Sequence, residues 1–519
     1  MNKIRRKEIL ILILCLIAGF ALRFYTFDKK SLWIDEIHTY NDSRDGIQKQ
    51  LEYYKENPTY LHPPMFFVLT HSFYPFTKPE RDLRIIPLLF GILSIPMIYF
   101  LSRQFSPNIA IPCTLILTFM TYHIYFSQDG RMYSMLMFFG MMALYFFIKH
   151  LKTYKKGYLV LVAIGYAILF HTSYSSILFI VFTQILWFYH INENKNKFNI
   201  FSFLTLSGIT LILCIPWVLF IVLSYKGQPV MDLLTIQEIG SLFTIVAGIF
   251  NDWAPLPPLS IASLILLILF PFFSKNKENS IILLALLAFT VGGLYFYCKL
   301  LNVNQFITSR YFITFFPLFL ITLYLSLDAI EAKFKKFRGL FWIGPKLFFL
   351  ILFILSNLII LFPYYKSEKQ NFRGLVNYLN THLGDGDKIV VGTFTYIPGI
   401  LHYFKVEPKN RHYSIPYSWI TPGKEFEFKA TLTSQDRNFN IYHSNIPYSR
   451  YIENGNRLWI LVGKGHAAEE VKKIPSCVLK GYFDGSFAMF RKFPSDASMY
   501  LFLWDSSSRD EKGINRQIE

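Results

Sequence analysis

Residues 202–223 read SFLTLSGITLILCIPWVLFIVL, an apolar run without a single charge. A helix rising about 1.5 Å per residue covers the hydrocarbon of a bilayer in about 20 residues, so this stretch has the length of a membrane span. Comparable runs lie near 9–27, 84–102, 108–126, 131–148, 157–171, 173–190, 258–273, 280–299, 311–328 and 341–362. Of the 519 residues 53% are hydrophobic and 54 are Phe, more apolar side chain than a soluble core could hide. No small-x-small cleavage site follows the first run, which therefore reads as a span and not as a removed signal peptide. The expected class is a polytopic α-helical membrane protein with about eleven transmembrane helices.

The formal net charge of +18 raises the question of a nucleic-acid partner. The basic residues instead collect in short gaps between apolar runs: Lys3, Arg5, Arg6 and Lys7, then Lys149 to Lys156, Lys195 and Lys197, and Lys333 to Arg338. That pattern sets orientation, and no nucleic-acid partner is expected. With the amino terminus in the cytoplasm, all of these gaps and those at Arg103 and Lys275–Lys277 fall inside. The gaps Asp28–Leu83, Ser127–Gly130, His171–Thr172, Tyr225–Pro257 and Leu300–Arg310 then fall outside, as does the chain beyond the last run. The two long outer gaps carry amphipathic stretches, Ile47–Tyr54 and Leu233–Phe250, readable as helices along the membrane surface or as ordinary loops.

Beyond Pro363 the apolar runs shorten and Gly, Asn, Asp and Ser increase. Helices are expected at Asn371–His382 and His466–Lys473, and strands at Lys388–Thr393, Arg457–Val462 and Phe483–Arg491. The domains are thus 1–362, transmembrane with outer loop 28–83, and 363–519, a soluble periplasmic or extracytoplasmic α/β domain. Cys15, Cys113, Cys214 and Cys298 fall in or beside apolar runs and only Cys477 in the soluble part, so no disulfide framework is expected.

Directly after the first run comes Ser31-Leu32-Trp33-Ile34-Asp35-Glu36-Ile37-His38-Thr39-Tyr40. Two carboxylates among apolar neighbours can accept a proton from a hydroxyl in a partly desolvated site, and on a helix Asp35, His38 and Thr39 share a face. Asp35 would serve equally well as a helix cap. In Tyr60-Leu61-His62-Pro63-Pro64, two prolines stiffen the backbone that presents His62, either to an anion or a metal or simply to water. Arg131, in Ser127-Gln128-Asp129-Gly130-Arg131, and Arg310, in Thr308-Ser309-Arg310-Tyr311, stand on the side where basic residues should be few. Each is a phosphate ligand or a snorkelling anchor.

Together these motifs, with Arg81-Asp82-Leu83-Arg84-Ile85-Ile86-Pro87, resemble the family 39 glycosyltransferases of the GT-C superfamily. That group includes protein O-mannosyltransferases and lipid A aminoarabinose transferases. The resemblance covers residues 1 to about 362. It implies inverting transfer of a sugar from a polyprenyl-phosphate donor to an acceptor hydroxyl on the outer face of the cytoplasmic membrane. By that resemblance Asp35 activates the acceptor with Glu36 in support, while His62, Arg131, Arg310 and Tyr311 hold the donor phosphate. His38 and Asp129 are supporting candidates.

This chain has His62 where the aminoarabinose transferases have lysine, and Gln-Asp-Gly-Arg where many relatives have Gln-Glu-Ala-Arg. The inserted β-trefoil of the O-mannosyltransferases is not found. The residues demand no cofactor and leave a divalent metal open. The partners implied are the lipid-linked donor, a lipid, glycan or protein acceptor, and membrane lipids. A transporter or flippase of lipid-linked sugars is the alternative. It would place ionisable groups in mid-span and often shows repeats, whereas here they gather at span ends.

Overall fold

The computed structural model describes residues 6–56, 62–190, 198–224, 240–300, 307–333, 344–406, 427–434, 437–444, 446–452, 457–486 and 497–505. The chain divides into two compact units, Met1–Asp28 with Ser43–Pro363 and Lys29–Asp42 with Tyr364–Glu519.

The first unit is helical. Among the described residues, six helices are long and apolar enough to cross a membrane: Pro79–Phe105, Tyr133–Thr153, Ile200–Ser224, Lys277–Leu300, Ser309–Lys333 and Pro345–Lys366. Two bent pairs, Pro107–Phe119 with Thr121–Ser127 at 59° and Leu242–Trp253 with Pro257–Phe273 at 107°, raise the number to eight if each pair is one span. The expected eleven are therefore not all recovered. The helix Arg6–Phe24 carries Arg6, Lys7, Glu8 and Arg23, and the runs at 157–171 and 173–190 form the shorter helices Lys156–Thr172 and Ser176–Phe188.

Helix Ile85–Phe105 packs on Tyr133–Thr153, which packs in turn on Lys156–Thr172. Apolar residues remain on the outside: Leu223 is 83% exposed and Phe201 79%, exposure that suits contact with lipid tails.

The breaks have visible causes. At Met120 the helix stops and restarts, and the Thr121 amide donates to Asn357 Oδ1 (2.9 Å) while its hydroxyl donates to the Asn357 carbonyl (2.7 Å). Backbone groups freed in apolar surroundings need such partners. The sharper bend follows Leu256, whose φ of 80° is disfavoured for a side chain of its size, and the Ser260 hydroxyl closes it by donating to the Ala254 carbonyl (2.7 Å).

Arg23 is fully buried at the end of the first helix and donates to the carbonyls of Leu117 (2.8 Å) and Thr118 (3.0 Å). A cation on the carboxy-terminal carbonyls of Pro107–Phe119 complements that helix's dipole. Of the amphipathic stretches, Ile47–Glu56 is a helix and Leu242–Trp253 is another, while residues 233–239 lie outside the described residues.

The second unit is α/β. Its strands are β1 (Lys388–Val391), β2 (Glu427–Ser434), β3 (Arg437–Ser444), β4 (Leu458–Gly463), β5 (Cys477–Phe483) and β6 (Met499–Trp504), in the order β2-β3-β1-β4-β6-β5. β1 runs parallel to β3 and β4, and the remaining pairs are antiparallel. Helix Phe372–His382 begins on Asn371, whose side-chain oxygen accepts the Gly374 amide at 2.8 Å, and His466–Lys472 forms a second helix. At the edge of β4 the buried Trp459 indole donates to Asp387 Oδ2 (2.7 Å).

Of the strand expected at Phe483–Arg491, Phe483 ends β5 and residues 484–486 are not strand, while 487–491 lie outside the described residues; the last described strand is β6. All five cysteines are free.

Candidate functional site

The acidic motif belongs to the second unit and not to the loop of the first. It forms the helix Ile34–Ser43, which puts Asp35 in the first turn and turns Asp35, His38 and Thr39 to one side; the Thr39 hydroxyl donates to the Asp35 carbonyl at 3.2 Å. Asp35 and His38 are half-buried, whereas Glu36 is fully buried. Lys369 Nζ lies 3.8 Å from Glu36 Oε1, and Glu36 Oε2 accepts the Trp33 amide at 3.3 Å. The two carboxylates are thus differentiated by depth: Asp35 is partly exposed, and Glu36 anchors the helix from within.

The way into this helix is held along its whole length. The Ser31 amide donates to Glu368 Oε2 (3.0 Å), the Leu32 amide to the Tyr403 hydroxyl (2.7 Å) and the Ile34 amide to Gln370 Oε1 (3.2 Å). The Lys30 ammonium donates to the carbonyls of Tyr364 (2.6 Å) and Ser367, at the carboxy-terminal end of Pro345–Lys366 where a cation is favoured. Sequence reading missed Gln370, Tyr403 and Lys369. Their separation from the motif by more than three hundred residues leaves no local signal.

In the first unit, His62 is exposed and its ring centroid lies 6.5 Å from that of Phe67. Phe66 and Phe67 share an apolar cluster with Ile86 and Met135, against which Met132 packs, so the segments following His62 and Arg131 meet. Helix Tyr133–Thr153 contacts the 3-10 helix Ser309–Phe315, which carries Arg310 and Tyr311. Helix Tyr133–Thr153 therefore touches both the segment that follows His62 and the 3-10 helix that bears Arg310. Both arginines are half-buried, and the Arg310 guanidinium lies 5.5 Å from the Tyr311 ring centroid.

The Gln128–Arg131 motif has a structural share. Gln128 Nε2 donates to the carbonyls of Arg23 (2.8 Å) and Tyr25 (2.7 Å), pinning the exit of the first helix, and Asp129 is fully buried. In Arg81-Asp82-Leu83-Arg84, Asp82 accepts from Arg81 Nε (2.8 Å) and the Lys78 amide (2.9 Å), and the buried Arg84 donates to the Phe27 carbonyl (2.9 Å).

Beside Arg310 the Ser309 hydroxyl donates to Asp252 Oδ2 at 2.5 Å, both groups being buried. Asp252 was not anticipated; an aspartate ending an apolar stretch, Phe250-Asn251-Asp252-Trp253, was the available signal. Immediately after Tyr311, Phe312 and Phe315 enter the wall of an apolar cavity of about 380 Å³ shared with Trp253, Ile249, Leu267 and Phe319. Among the described residues no group of three or more His, Cys, Asp or Glu side chains could hold a metal ion.

The first unit is thus a multi-pass helical assembly with Arg131 and Arg310 near helix ends, and the second is a small sheet-containing unit. Residues 61–220 match the family model described as dolichyl-phosphate-mannose-protein mannosyltransferase. The chain is similar in fold to ArnT from Cupriavidus metallidurans in the apo state, at 10% identity and a TM-score of 0.52, over 96% of this chain and 98% of that one. The same protein bound to undecaprenyl phosphate superposes with a TM-score of 0.49 at 10% identity over the same shares. The archaeal oligosaccharyltransferase AglB from Archaeoglobus fulgidus, in complex with an inhibitory peptide and a dolichol-phosphate, gives 0.42 at 12% identity over 76% of this chain and 63% of that one. No curated protein sequence matches the chain. The family match thus lies within residues 61–220, and the likeness to ArnT in the apo state is one of fold.

Proposed function

We propose that the protein transfers a sugar, with inversion, from a polyprenyl-phosphate donor to an acceptor hydroxyl on the outer face of the cytoplasmic membrane. The amino terminus is then cytoplasmic and the unit beyond residue 363 extracytoplasmic. The observation that carries the donor class is the 3-10 helix Ser309–Phe315, which bears Arg310 and two residues further on contributes Phe312 to the wall of an apolar cavity. A phosphate on an isoprenoid chain asks for that pairing of cation and apolar slot.

In one displacement Asp35 takes the proton of the acceptor hydroxyl as its oxygen bonds the anomeric carbon, and the bond to the phosphate oxygen breaks. The polyprenyl phosphate leaves with the negative charge, which Arg131 and Arg310 neutralise and to which the His62 ring N–H donates. His38 and Asp129 support the two groups. Attack from the face opposite the leaving phosphate inverts the anomeric centre without a covalent sugar-enzyme intermediate. Should a divalent metal take part, it would add charge neutralisation at the phosphate.

The test is complementation of a strain lacking the gene, with the altered lipids or glycans read by mass spectrometry. Asp35→Asn should restore none of the missing product while reaching the membrane at the wild-type level. Full restoration by that variant would remove the proposal. A flippase would also tolerate Asp35→Asn, since moving a lipid-linked sugar needs no base.

A further inference from the structure

Four consecutive backbone amides lead into the acidic helix, and each meets a side chain: Ser31 with Glu368, Leu32 with Tyr403, Trp33 with Glu36 and Ile34 with Gln370. The amides of Trp33 and Ile34 are among the first of the helix and have no intrahelical acceptor, and those of Ser31 and Leu32 belong to the segment that enters it, so acceptors placed there fix where the helix starts and how it is aimed. Three of the four come from residues 368–403 and only Glu36 is local. Tyr403 is used twice, because the Ser31 hydroxyl also approaches it at 3.2 Å. The Ser31 oxygen accepts the Arg373 amide at 3.2 Å, from the first turn of helix Phe372–His382. Further along, the Tyr40 ring meets His402, the neighbour of Tyr403, edge to face at a centroid distance of 4.7 Å. Gln370 and Lys369 are buried, although such side chains rarely are unless they are bonded.

We propose that Tyr403 and Gln370 are positioning residues for sugar transfer: by accepting the Leu32 and Ile34 amides they set the place of the Asp35 carboxylate, which makes the second unit a working part of the enzyme. The inference rests on Asp35 being the base. Both act through the backbone of residues 31–34 and take no part in the chemical step. Each removes one orientation in which the first turn could rock, and a carboxylate misplaced by about 1 Å loses on the order of a hundredfold in rate. The donor phosphate is held by residues of the first unit, so the effect should fall on turnover and spare donor binding.

The experiment uses the full-length protein with Tyr403→Phe and Gln370→Met, which keep side-chain bulk and remove the acceptor. Three quantities are read: product restored in the deletion strain, hydrogen exchange of amides 31–34, and binding of undecaprenyl phosphate by native mass spectrometry. We expect product to fall at least tenfold in each variant, exchange at 31–34 to quicken at least tenfold, and undecaprenyl phosphate binding to stay within twofold. Wild-type product levels in both variants would overturn the inference, as would a fall in product matched by an equal loss of undecaprenyl phosphate binding. If Asp35→Asn itself restores product, the assignment of the base fails; unchanged exchange at 31–34 instead defeats the positioning role alone.

Discussion

Lys369→Met isolates the energetic value of the buried pair under the acidic helix. The side chains of Lys369 and Glu36 are 3% and 0% exposed and their charged atoms stand 3.8 Å apart. At an effective dielectric of about 20, two unit charges at that separation attract by about 4 kcal/mol. Methionine keeps the length of the stem and removes the ammonium from beside a fully buried carboxylate. Release of the lysine's own desolvation cost offsets part of the loss, which leaves a net destabilisation of about 2–4 kcal/mol.

For a unit of this size each kcal/mol moves the melting temperature by roughly 2–4 °C, so a fall of roughly 4–16 °C is expected. The assay is thermal unfolding in detergent, followed by hydrogen exchange of peptides from residues 364–406, on Lys369→Met, Glu36→Gln and the double variant. If the charges see each other, the double variant is less destabilised than the sum of the singles by at least about 1 kcal/mol. Additivity within about 0.5 kcal/mol would refute the reasoning, for it would mean that each side chain is held by other groups.

Two further outcomes follow from the geometry. Arg310→Ala should lower undecaprenyl phosphate binding at least tenfold in native mass spectrometry while leaving the exchange of the acidic helix unchanged; unchanged binding would count against the phosphate role. His443 has its pKa lowered by burial, partly opposed by its hydrogen bond with the Val391 carbonyl at 2.9 Å. A histidine held neutral in the folded state stabilises above its unfolded pKa of about 6.5, and the contribution is lost as pH falls below that value. Melting of the second unit should therefore drop between pH 7 and pH 5, and His443→Gln should flatten that part of the profile.

The transmembrane character of the first unit was legible because lipid demands long uncharged runs, and 202–223 could hardly be anything else. The bends were not. Pro257 and Pro258 announce a break, but nothing local at Met120 does, and the partner that satisfies Thr121 is Asn357, far along the chain. In the second unit β1 and β4 stood out as short apolar runs. The hairpin β2–β3 was missed although Phe428, Ala430 and Leu432 alternate along β2 and Phe439 and Ile441 along β3, a period-two signal diluted by polar neighbours; the two strands pair in full register. At the site the chemistry-bearing types at Asp35, His62, Arg131 and Arg310 were visible. Gln370, Tyr403 and Asp252 were not, because an acceptor for a backbone amide or a serine hydroxyl can be supplied by many residue types from any distance.

The acidic helix depends on residues 334 to 371 positions further along, Tyr364 and Tyr403. Closing so long a loop adds little free energy, since each doubling costs only about 0.6 kcal/mol. It does impose an order of events. The ribosome delivers Asp35 near the start, while the groups that seat it emerge only after the membrane helices have been made. Until residues 364–403 have been made, the acidic helix lacks the groups that hold its entry. A segment made after the membrane helices thereby completes the setting of a helix made before them.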